Sequence, residues 1–167
     1  FDAAVCRWGL MLILDPAAAC RGVLRALKPG ARFAAAVWGE ASRVPFLAIP
    51  HEVAMRELGV PAPPPGTPGP LSMGRHGQLE ALLSASGFED LRSETVKVVF
   101  PFASAGEYAD FLFDLSSILR RALEAQPGEV RARVRRAIES ATERYREPSG
   151  RVRLENEVRC VSGRSPR

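Results

Sequence analysis

The apolar positions of this chain fall into short runs whose spacing alternates between that of strands and that of helices. Residues 1–6 (FDAAVC) form a mostly apolar run, the pattern of a strand buried on both faces. Asp15-Pro16 then offers an N-cap followed by a proline at the first helical position. Cys20, Val23, Leu24 and Leu27 recur at helical spacing after it. Lys28-Pro29-Gly30 closes the helix with a cation near its negative end and two breakers. Residues 31–38 (ARFAAAVW) predict a second apolar strand, ended by Gly39. Strand, helix and strand in so short a span imply a right-handed crossover and a parallel pair, hence an α/β core.

Further along, residues 45–58 predict a helix with Phe46, Ile49, Val53 and Leu58 on one stripe and a kink or break at Pro50. The segment 61–70 (PAPPPGTPGP) reads as a stiff, extended surface loop. A short amphipathic helix over 78–86 ends at Gly87, and residues 91–102 alternate as a strand with Val96, Val98 and Phe100 on one face. Two longer helices are expected next. Ser104 and Glu107 form a capping box for the first, whose stripe is Tyr108, Phe111, Leu112, Leu115, Ile118 and Leu119. The second, over 127–146, carries Val130, Val134, Ile138 and Tyr145 opposite a basic face, read as a solvated surface laced with Glu–Arg pairs. Residues 152–162 close the pattern as a strand, with a frayed tail beyond.

Composition changes this picture little. Apolar and charged fractions of 46% and 25% are those of an ordinary globular protein, and 167 residues suffice for one buried core. No apolar run approaches the roughly 20 residues needed to span a bilayer. The net charge of +4 comes almost wholly from arginine, but the arginines are scattered among carboxylates, so no nucleic-acid partner is expected. Cys6, Cys20 and Cys160 share no metal-ligand spacing; no metal site is expected, Cys6 reads as a buried reduced thiol, and a reducing cytoplasm fits.

The order of these pieces resembles the class I S-adenosylmethionine-dependent methyltransferase domain. The likeness rests on Phe1-Asp2 opening a strand, Arg7-Trp8-Gly9-Leu10-Met11 after it, Asp15-Pro16 starting a helix, and Leu27-Lys28-Pro29-Gly30 before the next strand. Ala31 stands where the family's phrase ends in a second glycine, a departure that touches turn geometry rather than chemistry. Gly87-Phe88 resembles the junction before the family's sixth strand. The chain is most similar to small-molecule methyltransferases of the ubiquinone and menaquinone biosynthesis type.

The resemblance implies a partial Rossmann-like sheet in the order 4-5-7-6, with the last strand antiparallel and a helical pair inserted before it. Residues 1–103 and 148–164 would form the C-terminal half of the methyltransferase domain, 104–147 the helical insertion and 165–167 a tail. The Gly-rich loop that grips most of the cofactor has no counterpart here; Gly66, Gly69 and Gly74 lie in a proline loop and are set aside. The expectation is therefore an orphaned half, inactive alone, whose first strand leaves an apolar edge open to self-association.

Methyl transfer is an in-line displacement in which the cofactor carries the difficult chemistry, so no catalytic dyad is expected. By resemblance, Cys6, Arg7, Trp8 and Gly9 border the S-adenosylmethionine site, and Met11, Trp38, Phe46 and His51 face a small-molecule acceptor. His51 is the one candidate general base; His76 reads as a loop residue. Trp8 and Met11 are equally readable as core packing, and Arg7 as a surface ion-pair partner. The alternative to an enzyme is a non-catalytic module for folding, dimerisation or substrate capping; an RNA-binding piece ranks last.

Overall fold

A computed structural model describes residues 1–64 and 66–167, with backbone alone at Ser117 and Ile118, so Pro65 and the Ile118 position in the expected stripe lie outside the described residues. The elements run β1 (Ala3–Arg7), α1 (Pro16–Ala26), β2 (Arg32–Trp38), α2 (Pro45–Leu58), α3 (Gln78–Ala85), β3 (Glu89–Phe102), α4 (Ala105–Leu115), α5 (Ser117–Glu124), α6 (Gly128–Thr142) and β4 (Val152–Arg164). The four strands form one sheet in the order β1-β2-β4-β3. β1 and β2 are parallel, with Val5 opposite Ala34, whereas β2 and β4 are antiparallel, with Ala35 opposite Val161.

Local chemistry explains the β1–α1–β2 unit. The Asp15 carboxylate accepts from the Ala18 amide at 2.8 Å and Pro16 starts the helix. After α1, the Ala31 amide donates to the Lys28 carbonyl at 3.0 Å across Pro29 and Gly30. Gly30 has φ +75°, so this is the turn that wants proline second and glycine third, and Ala31 lies beyond the position that needs glycine. The phrase before β2 thus keeps its geometry without a second glycine.

Two compact units divide the chain: residues 1–44, 64–98 and 156–167 in the first, 45–63 and 99–155 in the second. In the first, Phe33, Ala35 and Val37 of β2 and Val161 of β4 share one buried face of the sheet. Cys20, Leu79, Leu83 and Phe88 are buried in the same unit, with Phe88 against Phe33. The opposite face carries Val5, Ala34, Ala36, Cys160 and Ser162 and is not covered; Val5 is 80% exposed. As expected, β1 is an edge strand with nothing paired on its outer side among the described residues; it is not buried on both faces, because no element covers the side that carries Val5. Cys6 is half-buried, and the wholly buried thiol is that of Cys20, whose pKa burial pushes up. Ser165 does not fray: its amide and hydroxyl bond to Ala31 and Lys28.

The second unit has its own core, in which Phe46, Ile49, Val53, Tyr108, Leu112, Val134, Ile138 and Leu154 are buried. The first of the expected helical pair is broken at Ser116, which ends α4 and caps α5 through a bond from the Leu119 amide at 3.1 Å. Serine competes well for that amide, and a single stripe at helical spacing does not reveal such a break. Ser104 caps α4 from the Glu107 amide at 3.1 Å, while the Glu107 carboxylate takes the Ala103 amide rather than that of Ser104. On α6, Arg133 pairs with Glu57, and Arg135 with Asp110 and Glu139. Arginines and carboxylates balance in this unit, so the net charge of +4 belongs to the first.

Candidate functional site

β1 and β2 run parallel and end side by side, and ligands of open α/β sheets lie beyond such carboxyl ends. The Trp8 amide donates to the Ala36 carbonyl at 2.8 Å, carrying the ladder one residue past β1. There the chain bends: Trp8 has φ +56°, left-handed backbone that a bulky side chain adopts at a cost of about 1–3 kcal/mol. Gly9 follows, where a Cβ would come within 2.8 Å of the Cys6 sulfur.

The bend lays the Trp8 indole on that of Trp38, with ring centroids 4.5 Å apart and planes 10° from parallel. The Arg7 guanidinium carbon lies 5.0 Å from the Trp8 ring centroid on the same indole. Trp38 is 6% exposed, so it is largely covered, while Arg7 is exposed. The Trp8 Nε1 hydrogen is shut off from solvent without an acceptor among the described residues. An orphaned buried donor costs about 1–3 kcal/mol, and aromatic stacking returns about 0.5–1.5 kcal/mol beyond burial. Backbone strain and the unmet donor thus sit on one residue at the carboxyl end of β1.

Met11 is buried, and its carbonyl accepts from the Gly69 amide and the Ser72 hydroxyl, each at 2.9 Å. It lines a concavity of about 290 Å³ with Leu10, Leu14, Ser72, Met73 and Leu82. Phe46 and His51 belong to α2 in the second unit. The Phe46 ring lies in that unit's core, 4.6 Å from Phe100 and 5.9 Å from Tyr108, whereas His51 is exposed. Cys6, Arg7, Trp8, Gly9, Met11 and Trp38 are thus together in the first unit, and the remaining two candidates are α2 residues of the second.

The same end of the sheet holds residues that motif reading passed over. A Cβ on Gly74 would lie 2.2 Å from the Gly39 carbonyl oxygen, so the loop crosses the end of β2 in backbone contact. Arg159 donates to the Gly74 carbonyl at 3.3 Å and pairs with Glu157 at 3.0 Å, both side chains being mostly buried. Gly39 in turn donates to the Glu157 carbonyl at 2.8 Å. Glu157 and Arg159 stand two apart on a strand and so share a face, a spacing visible in the sequence. Nearby, burial pushes the Glu80 carboxyl up, but the Ser93 hydroxyl at 2.6 Å and the charges of His76 and Arg159 outweigh it and hold the group below its ordinary range. Among the described residues no group of three or more His, Cys, Asp or Glu is placed to hold a metal ion, and no helix is long and apolar enough to cross a membrane.

The strand order β1-β2-β4-β3, with β4 antiparallel to β2, is the expected 4-5-7-6 block. Among solved structures, a candidate methyltransferase from Bacillus halodurans matches 100% of this chain at 15% identity and a TM-score of 0.51. The chain has the class I methyltransferase fold. It spans 65% of the length of that structure. Also similar are the YcgJ protein of Bacillus subtilis, at 14% identity over 100% of this chain and 64% of that one with a TM-score of 0.49, and phosphoethanolamine N-methyltransferase 2 of Haemonchus contortus, solved with S-adenosyl-L-methionine, at 14% identity over 100% and 34% with a TM-score of 0.48. No protein-family model matches the sequence, and no curated protein does. The Arg7–Trp8–Trp38 layer lies at the carboxyl ends of the parallel strands β1 and β2.

Proposed function

We propose that this chain is the C-terminal part of an S-adenosylmethionine-dependent methyltransferase acting on a small-molecule acceptor, with most of the cofactor grip supplied by an element it does not contain. The observation that carries this reading is the Arg7–Trp8–Trp38 layer at the carboxyl ends of β1 and β2 in a methyltransferase fold. Fold alone does not assign activity, so the weight rests on this layer. Its chemistry suits an anionic group: the Trp8 ring already carries the Arg7 guanidinium, and that guanidinium and the unmet Trp8 Nε1 hydrogen are both donors that seek an acceptor.

The cofactor when bound supplies a methyl group on a sulfonium, which passes to the acceptor's lone pair as the carbon–sulfur bond breaks. The chain's own residues orient and exclude. The indole pair and the bend at Trp8 form a wall that keeps water out, and Met11 with its concavity offers room for an uncharged part of the acceptor. Gly74, braced by Arg159 and Glu157, keeps the loop on the end of β2. His51 remains the candidate general base, and a reducing cytoplasm remains part of the reading. The test is calorimetric titration of the folded chain with S-adenosylhomocysteine. Micromolar binding by the chain alone would overturn the claim that most of the grip lies in a missing element, whereas binding that appears only when an upstream cofactor-loop segment is added supports the reading. A folded chain that takes none, alone or mixed with an upstream cofactor-loop segment, sinks the reading.

A second reading has its own observation. The β1 edge is open, Val5 projects from it, and the adjoining sheet face forms a concavity of about 470 Å³ floored by Ala34, Ala36, Cys160 and Ser162. An open edge beside a face of small residues accepts another chain, so this half would serve as an association module. Concentration-dependent dimers in sedimentation, lost in Val5→Lys, support it; a monomer at all concentrations refutes it.

A further inference from the structure

We propose that the hollow between α4, α5 and α6 is a binding site for a small amphipathic carboxylate, an apolar body ending in a single negative charge. The break at Ser116 makes room for it. The Ser116 cap restarts the chain as α5, which touches both α4 and α6 and brings Leu123 into the core of the second unit. What the three helices leave open is a concavity of about 280 Å³, near the lower bound of small-molecule sites at about 300 Å³. Its walls are almost wholly apolar and are formed by Phe113 of α4, Leu123 of α5 and Ala132 of α6. Every residue that lines it belongs to the second unit. The site is thus separate from the layer at the end of β1 and stands or falls without the methyl-transfer reading.

The charges that line the hollow select its ligand. Arg120, Arg131 and Glu124 make no ion pair among the described residues, although Glu124 lies one helical turn from Arg120. Arg131 donates one N–H to the Gln126 carbonyl at 3.0 Å and keeps its other donors. The remaining cation, Arg135, is held by Asp110 and Glu139 and serves as a fixed wall. Two unpaired guanidinia against one carboxylate leave one positive charge beside apolar walls. A neutral apolar molecule would leave those guanidinia unmet, and a dianion would be opposed by Glu124. A monoanion with an apolar body answers both features at once. A carboxylate suits the planar fork of a guanidinium, and walls that exclude water strengthen the contact.

The test is a proton–nitrogen NMR titration of the full chain. Octanoate has both the apolar chain and the charge, octan-1-ol has the chain alone, and acetate and inorganic phosphate have only the charge. The expected result is a set of amide shifts centred on Phe113, Leu123 and Ala132 that saturates with octanoate at a Kd of about 1 mM or tighter. The other three probes should bind about tenfold more weakly or worse. Arg120→Gln and Arg131→Gln should each weaken octanoate about threefold, as contacts of partly exposed charges do, and together about tenfold. Arg121→Gln removes the same charge from α5 outside the hollow and should leave binding unchanged. Ala132→Leu fills the hollow without altering a charge and should abolish binding; if it does not fold, the two arginine variants still decide. No saturable shift at these amides up to about 10 mM octanoate overturns the proposal. So does octan-1-ol that binds as tightly as octanoate, phosphate that moves the same amides equally, or a loss in Arg121→Gln equal to that in Arg120→Gln. Octanoate shifts confined to amides of the first unit overturn it as well.

Discussion

Tyr108 stands in for a hydrogen that α2 lacks, and this can be measured. Pro50 lies inside α2, so the nitrogen that would bond the Phe46 carbonyl four residues earlier carries no hydrogen. The Tyr108 hydroxyl, wholly buried, donates to that carbonyl at 2.8 Å. Tyr108→Phe removes one oxygen without opening a cavity and leaves a buried acceptor deprived of that donor, a cost of about 1–3 kcal/mol. Pro50→Ala restores the missing N–H in the place the helix provides for it. In that background Tyr108→Phe should cost only about 0.5–1 kcal/mol, so the two changes should couple by about 1 kcal/mol or more. Urea denaturation of the four proteins, followed by far-ultraviolet circular dichroism, closes the cycle. Equal costs of Tyr108→Phe in both backgrounds, within about 0.5 kcal/mol, would refute the reasoning. A pH series adds a second reading. Burial pushes the Tyr108 hydroxyl far above the ordinary tyrosine range, so the unfolded chain loses this proton first. Its contribution is whole below about pH 10 and declines as pH rises beyond, a decline that Tyr108→Phe should remove.

Gly74→Ala should destabilise the first unit by about 3 kcal/mol or more, since the new carbon would meet the Gly39 carbonyl oxygen at 2.2 Å. Gly69→Ala, where nothing lies within 4 Å, should stay within about 0.5 kcal/mol in the same denaturation assay. Ser104→Ala removes the α4 cap and should cost about 1 kcal/mol, most of it recovered in Ser104→Asp. Asp90 beside Arg32, Asp110 beside Arg135 and Glu143 beside Arg146 have carboxyls held below their ordinary range by these guanidinium bonds. As pH falls the unfolded chain takes up these protons first, so their stabilisation is present above the ordinary carboxylate range and lost as pH drops through the lowered values. All three groups are exposed, so added salt should flatten that acid slope; a slope indifferent to salt would contradict the assignment.

Much of this protein was legible in its residues, because short-range rules govern those parts. Asp15-Pro16 caps a helix whatever surrounds it, Pro29-Gly30 can make only a few turns, and Gly87 with φ +96° ends α3 for want of a Cβ. The apolar runs locate β1 and β2, and the resemblance implies β4 between β2 and β3, where it lies. Burial was less legible: an apolar run is the same whether both faces of its strand are covered or only one, and the β1 face that carries Val5 is open. Tertiary structure alone decided the rest. The left-handed turn that lays Trp8 on Trp38 depends on side chains thirty positions apart, and the Gly74 crossing on a loop returning to the end of β2. The Tyr108 bond to Phe46 joins helices far apart in the chain. Periodicity records what each residue prefers locally; which partner meets an unmet donor, a missing N–H or an open ring face is decided by the packing of distant segments.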